Sequence, residues 1–236
     1  MKIRIKFSKE GDMKFIGHLD IMRYFQKVMR LADVDIRYSE GFSPHQIMSF
    51  ANPLGVGMES RGEYVDLEVR STDSSQEMMR RMNAVMVDGM SILSYRRLPD
   101  QAANAMSIVA AADYRVRFRD GYEPEEFDSF AEWIPSFLDL ASIYMIKRSK
   151  KGEKEVDIRP LIMDLHLEGH EFVMRLATGS AANLKPDIVM RAYMKEQGLV
   201  LPDFALAVMR TEVYGENKTK EGTEVIPLEA FGEDIE

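Results

Sequence analysis

Apolar and basic residues alternate along Ile3-Arg4-Ile5-Lys6-Phe7, the period of two that marks a strand with one buried face. Tyr114-Arg115-Val116-Arg117-Phe118 repeats the pattern in the second half, which predicts an internal duplication. After the first strand, Ile21, Met22, Phe25, Val28, Met29 and Ala32 recur at helical spacing and predict a helix from about His18 to Ala32. Strands are predicted near 34–39 and 63–69. Ser74-Ser75-Gln76-Glu77 has the form of a capping box and opens a second helix running to about Met86, followed by a strand near 90–96.

The second half gives a similar order. A strand over 114–119 leads to a helix nucleated at Glu123-Pro124-Glu125-Glu126, with Phe127, Phe130, Ala131 and Ile134 on one face. Strands follow near 142–147, 155–158, 163–168 and 171–177, then a helix from Pro186 and a last strand over 205–213. The pattern predicts an α+β fold of two tandem ferredoxin-like (βαββαβ) units with antiparallel sheets, over residues 1–98 and 112–214. A single continuous α+β domain is the alternative.

A chain of 236 residues, 45% hydrophobic, can build either core. No apolar run approaches membrane-spanning length, and Met1-Lys2-Ile3-Arg4 leads straight into a strand, so the expected location is cytoplasmic with no membrane partner. With no Cys, disulfides, thiolate-ligated zinc and an iron-sulfur cluster held by the chain's own thiolates are excluded. Four scattered His residues show no ligand spacing, so no metal and no other cofactor is expected. Most of the eighteen Met residues fall at helix positions and read as core filling.

The net charge of −8 is uneven. Residues 215–236 carry seven acids against two lysines and read as an acidic, flexible tail, which leaves the body nearly balanced. Local basic patches therefore become significant. On the first helix Arg23, Lys27 and Arg30 line the face opposite the apolar stripe, and Lys2, Arg4 and Lys6 on the adjoining strand are expected to add to it. Lys147, Arg148, Lys150 and Lys151 crowd a predicted hairpin tip. Either group serves as a solvated face or as a phosphate contact.

His18 stands at the start of the first helix, where an imidazole acts as a cap, as an acid or base, or as a phosphate ligand beside free backbone N–H groups. The glycine- and proline-bearing loop over 40–62 holds Phe42, Ser43 and His45, an aromatic beside polar donors of the kind that stacks a base. His18 and Gly41–His45 are expected to share one cleft. Asp157 and Arg159 are read as a structural pair. No Walker, dinucleotide or nucleophile-elbow pattern is present.

Taken in order, Gly17-His18-Leu19-Asp20, Gly41-Phe42-Ser43-Pro44-His45, Asn52-Pro53-Leu54-Gly55-Val56-Gly57, Glu63-Tyr64, Val156-Asp157-Ile158-Arg159-Pro160, Lys185-Pro186 and Met209-Arg210-Thr211-Glu212 resemble the radical-SAM-linked protein family. That family is a conserved domain of unknown function encoded beside, or fused to, a radical SAM enzyme. The resemblance spans about residues 1–214 and implies a radical SAM enzyme as a separate partner chain. The predicted duplication, with its early His and glycine loop, is also similar to RAMP-type RNA endonucleases of CRISPR systems, an analogy at the level of fold. Three readings follow. The first is a non-catalytic RNA-binding partner that presents RNA to the radical SAM enzyme for modification. The second is a metal-independent RNA-processing enzyme using His18 as its catalytic residue. The third is a protein-interaction adaptor without RNA contact.

Overall fold

The computed structural model describes residues 1–149, 152–180, 182–219 and 222–236. The fold is mixed α+β, and the chain divides into two compact units. Unit 1 comprises Met1–Ala110 with Arg210–Glu236, and unit 2 comprises Ala111–Met209.

In unit 1, β1 (Lys2–Lys9), a 3-10 turn (Gly11–Phe15), α1 (His18–Leu31), β2 (Met48–Phe50), β3 (Glu59–Glu68), α2 (Ser75–Asn83) and β4 (Met90–Leu98) follow in order. The sheet runs β4-β1-β3, with β2 also on β3, and every one of these pairings is antiparallel. The alternation of β1 places Ile3, Ile5 and Phe7 in a core with Val65 and Leu67 of β3, Val69 just beyond it and the inner faces of both helices. Phe25, Val28 and Met29 supply that face from α1, as the helical spacing requires. The Ser74 side chain caps α2 by accepting from the Glu77 N–H at 3.3 Å, the contact a capping box provides.

The strand expected over 34–39 does not form as such. That stretch makes only the isolated bridges Ile36↔Val69 and Tyr38↔Gln46, and the ladder on β3 belongs to Met48–Phe50. The reason is the exit from α1. Asp33 takes a left-handed φ of 52° to leave the helix tightly, so the next residues run over the helix end before the chain reaches the sheet.

After a short α3 (Ala105–Ile108), β5 (Val109–Phe118) passes into unit 2. There follow α4 (Phe130–Leu138), β6 (Tyr144–Ser149), β7 (Gly152–Asp157), β8 (Ile162–Glu168), β9 (Glu171–Ala177) and α5 (Pro186–Glu196). Strands β5, β9 and β8 are antiparallel neighbours, and β6 pairs with β7 in a separate hairpin. Phe118, Phe127, Phe130, Phe172 and Tyr193 interlock by tilted and edge-to-face contacts in this core. Ala131, expected on the buried face of α4, is exposed, and Phe137 takes an inward position instead.

The chain re-enters unit 1 with β10 (Leu206–Lys218), which joins β3, and continues through β11 (Thr223–Pro227) and a 3-10 turn (Leu228–Phe231). The expectation of an acidic flexible tail over 215–236 therefore fails for its described residues. The segment is held to the sheet by basic residues of β1 and β4, with Glu229 on Lys6 and Asp234 on Arg96 at 3.3 Å. Arg4 and Lys6 lie on the sheet face opposite α1, where Arg4 pairs with Asp66 at 2.7 Å and donates to the Leu228 carbonyl at 3.1 Å. Lys6 contacts Glu212 at 2.6 Å and Glu229 at 3.0 Å, and Lys2 donates to the Ala102 carbonyl at 2.9 Å. These three cations consequently do not extend the basic face of α1. Among the described residues, no helix is long and apolar enough to cross a membrane.

Candidate functional site

The apolar face of unit 1 changes character at one end. Along β1 the inward positions run Ile3, Ile5, Phe7 and then Lys9, and along β3 they run Val69, Leu67, Val65 and then Glu63. Two charged residues thus continue a hydrophobic stripe. Lys9 is 3% exposed and Glu63 6%. Arg210, at 2% exposure, donates from Nε to Glu63 Oε1 at 2.9 Å and from Nη2 to both carboxylate oxygens at 2.6 Å. The same Nη2 donates to the Asn52 carbonyl at 2.7 Å. That geometry makes the carboxylate a fully engaged anion.

Over this pair stands His18, the first residue of α1. Gly17 precedes it in extended conformation and brings no side-chain cap. Phe50 of β2 meets the imidazole edge-on, with ring centroids 5.3 Å apart. Phe7, Lys9, His18, Ile21, Phe50, Asn52, Pro53, Leu54 and Glu63 enclose a recess of about 20 Å³, room for roughly one water-sized group. Among the described residues neither ring nitrogen of His18 has a hydrogen-bond partner. Burial pushes the His18 pKa below its ordinary value, with the positive Lys9 adding to the effect and Glu63 opposing it. Lys9 is likewise lowered, chiefly by burial and further by Arg210, against the pull of Glu63.

The structure brings His18 together with the later part of the long loop, Asn52-Pro53-Leu54, and not with Gly41–His45. The root of the loop tip is held at Gln46, whose Nε2 donates to the Gln26 carbonyl at 3.3 Å, eight residues beyond His18 on α1. At 1.5 Å per residue that is about 12 Å along the helix. Phe42, Ser43 and His45 are exposed, and His45 Nδ1 lies 2.9 Å from the Ser39 hydroxyl within the loop itself. No shared cleft with His18 forms, because the tip and the recess lie at different heights along α1.

Arg23, Lys27 and Arg30 are exposed at successive turns of α1. Arg23 is 3.2 Å from Asp20, an exposed pair of small energetic weight. Lys27 and Arg30 have no carboxylate partner among the described residues. Lys147 and Arg148 lie in β6, while Lys150 and Lys151 lie outside the described residues. Asp157 accepts from the backbone N–H groups of Ile143 and Arg159 at 2.9 and 3.0 Å, and the Arg159 guanidinium donates to the Leu138 and Ile162 carbonyls. The expected pair is therefore a side-chain-to-backbone turn, with Asp157 and Arg159 each bracing a separate connection. Among the described residues, no cluster of His, Asp and Glu has the arrangement of a metal site.

Lys9, Glu63 and Arg210 are members of this site to which the sequence reading gave no site role, although Glu63 and Arg210 fall within motifs that carry the family resemblance. Lys9 was detectable, since it extends the inward positions Ile3, Ile5 and Phe7 by one more step of two. The partnership of Glu63 with Arg210, 147 residues apart, carries no local signal.

The chain belongs to a family described as an uncharacterized protein conserved in bacteria (DUF2344), whose model matches residues 2–186. The matched span includes Lys9, His18, Asn52 and Glu63 and ends before Arg210. No curated protein matches the chain.

Proposed function

We propose that this protein is a non-catalytic RNA-binding partner of a separate radical SAM enzyme, to which it presents RNA for modification. The observation that carries the RNA part is the outward face of α1, where Arg23, Lys27 and Arg30 stand exposed at helical spacing above a fully packed inner face. Cations so arranged suit a phosphate backbone, whose contact releases counterions. The exposed aromatic Phe42, beside Ser43 and His45, supplies a surface on which an unpaired base stacks. The partner enzyme is drawn from the motif resemblance. Unit 1 is read as ferredoxin-like, on its strand-helix-strand-strand-helix-strand order and antiparallel sheet, whereas unit 2 carries four strands between its two helices.

A second reading, metal-independent RNA processing by His18, is favoured by the unbonded imidazole with lowered pKa in the recess. One pair of experiments separates the readings. Anisotropy titration with single-stranded RNA at several salt concentrations measures binding, and gel analysis of the same mixtures measures cleavage. Salt-sensitive binding of intact RNA supports the partner role, whereas cleavage by the isolated protein that His18→Gln abolishes supports the enzyme. Co-purification with the radical SAM enzyme without RNA binding overturns both in favour of an adaptor.

A further inference from the structure

Lys9 brings to the recess under His18 a positive charge that no carboxylate meets directly. Glu63 is engaged by Arg210, and Lys9 has no carboxylate within ion-pair distance among the described residues. Its Nζ donates to the carbonyls of Lys14 at 3.3 Å and Ile16 at 2.8 Å, leaving one of the three ammonium N–H groups without a protein acceptor. A buried ammonium held only by neutral carbonyls is expensive unless a counter-anion completes it. The first N–H groups of α1, a helix of 14 residues, start at His18 behind an uncapped Gly17 and bring the positive end of the helix dipole. The imidazole of His18 adds a ring N–H within the same walls.

We propose that the recess formed by Lys9, His18 and the start of α1 binds the phosphate group of a nucleotide or RNA strand. The pocket follows from charge and geometry alone, and only the source of the phosphate rests on the RNA reading above. A volume of about 20 Å³ admits one phosphate oxygen, so the group enters by a corner and the rest of the ligand stays at the mouth. The mouth suits that ligand. Phe15, Leu19 and Val56 are exposed and stand close in sequence to the lining residues His18 and Leu54, and the Gly57 N–H bonds the Lys14 carbonyl at 2.8 Å to draw two of their segments together. These apolar side chains offer a surface for a ribose or base. Inside, Lys9 of β1 faces His18 with positive charge and Glu63 of β3 with negative charge, while Arg210 of β10 acts on Lys9 from behind Glu63. An incoming phosphate dianion outweighs the single acid and favours protonated imidazole.

The test is proton NMR titration of the four imidazoles in the full chain, with inorganic phosphate against chloride at matched ionic strength. Phosphate is expected to raise the His18 pKa while His45, His166 and His170 stay unchanged, and Lys9→Met is expected to abolish the rise. If Lys9→Met does not fold, the phosphate-dependent increase in Tm serves instead, present in wild type and lost in His18→Gln. An unchanged His18, or a shift that survives Lys9→Met, overturns the proposal. A 5′-phosphorylated oligoribonucleotide that displaces phosphate where its 5′-hydroxyl counterpart does not identifies a terminal phosphate as the source. Equal displacement by both identifies an internal one. Charge reversal at Arg23, Lys27 and Arg30 should leave the response to inorganic phosphate intact, so failure of RNA binding on that face and failure of the pocket read out separately.

Discussion

Glu63 of β3 and Arg210 of β10 form a buried ion pair across 147 residues of sequence, with the guanidinium reaching both carboxylate oxygens at 2.6 Å. Glu63 lines the recess with His18, and Arg210 also ties the loop carbonyl of Asn52 to the sheet through the same Nη2. One contact thus sets both the strand partner and the wall of the recess.

Removing one member leaves the other as an uncompensated buried charge. Arg210→Met is expected to destabilise unit 1 by about 3–5 kcal/mol in urea unfolding, because Glu63 then has neither solvent nor a cation. Adding Glu63→Gln should restore a large part of that stability. A double variant as unstable as the single one would show that the arginine acts through packing and not through the pair.

The close approach of β3 and β10 depends on Gly62. A Cβ there would lie 2.6 Å from the Glu212 Cα and 2.8 Å from the Thr211 carbonyl oxygen, both backbone atoms that cannot turn aside. Gly62→Ala is expected to cost about 1–3 kcal/mol and to loosen the strand pairing, seen as faster amide exchange along β10. Unchanged exchange would contradict the proximity.

His18 gives stability a pH dependence of definite sign. Its folded-state pKa lies below the ordinary 6.5, so as pH falls through that value the unfolded chain takes up the proton first. The contribution is therefore complete above the ordinary value and is lost on acidification until the lowered folded value is passed. Unfolding midpoints measured across this window should flatten in His18→Gln.

If α1 holds RNA, reversing Arg23, Lys27 and Arg30 to Glu should weaken binding. The slope of log affinity against log salt should also fall by roughly 0.7 for each phosphate of a single strand that the helix no longer neutralises. The three side chains are exposed, so Tm should change little. Unaltered affinity for every RNA tested would remove this face from the function.

Deleting residues 228–236 should destabilise unit 1, in contrast to the removal of a free terminus. Arg4, only 1% exposed, would lose the Leu228 carbonyl, and Lys6 would lose Glu229. A fully buried Leu228 goes with them, a loss of about 2 kcal/mol or more. A truncated chain with unchanged Tm would show that this segment contributes nothing to the fold.

The extents of α1, β4, β9 and α5 were legible in sequence because periodicity, a capping box and a proline at a helix start are local signals. The strand on β3 was misplaced to 34–39, since its alternation reflects burial of Val34 and Ile36 against the helix end and not a ladder. The C-terminal segment was misread for a related reason. The segment looks solvated until Lys6 is known to meet Glu229 and Arg4 the Leu228 carbonyl from the far end of the chain. In the same way His18 was visible as a turn residue, whereas the charges beneath it come from strands that meet only after folding.

The return of residues 210–236 to unit 1 also orders events on the ribosome. Residues 111–209 emerge whole before Arg210 is made, so unit 2 has all its sequence while Glu63 and Arg4 still wait for their partners. During that interval β3 exposes the edge that β10 later occupies, with a buried-type acid and a free ladder of backbone groups. The nascent first unit thus carries an unpaired strand edge for as long as synthesis of the intervening residues takes. Slow translation past Met209 would prolong that exposure.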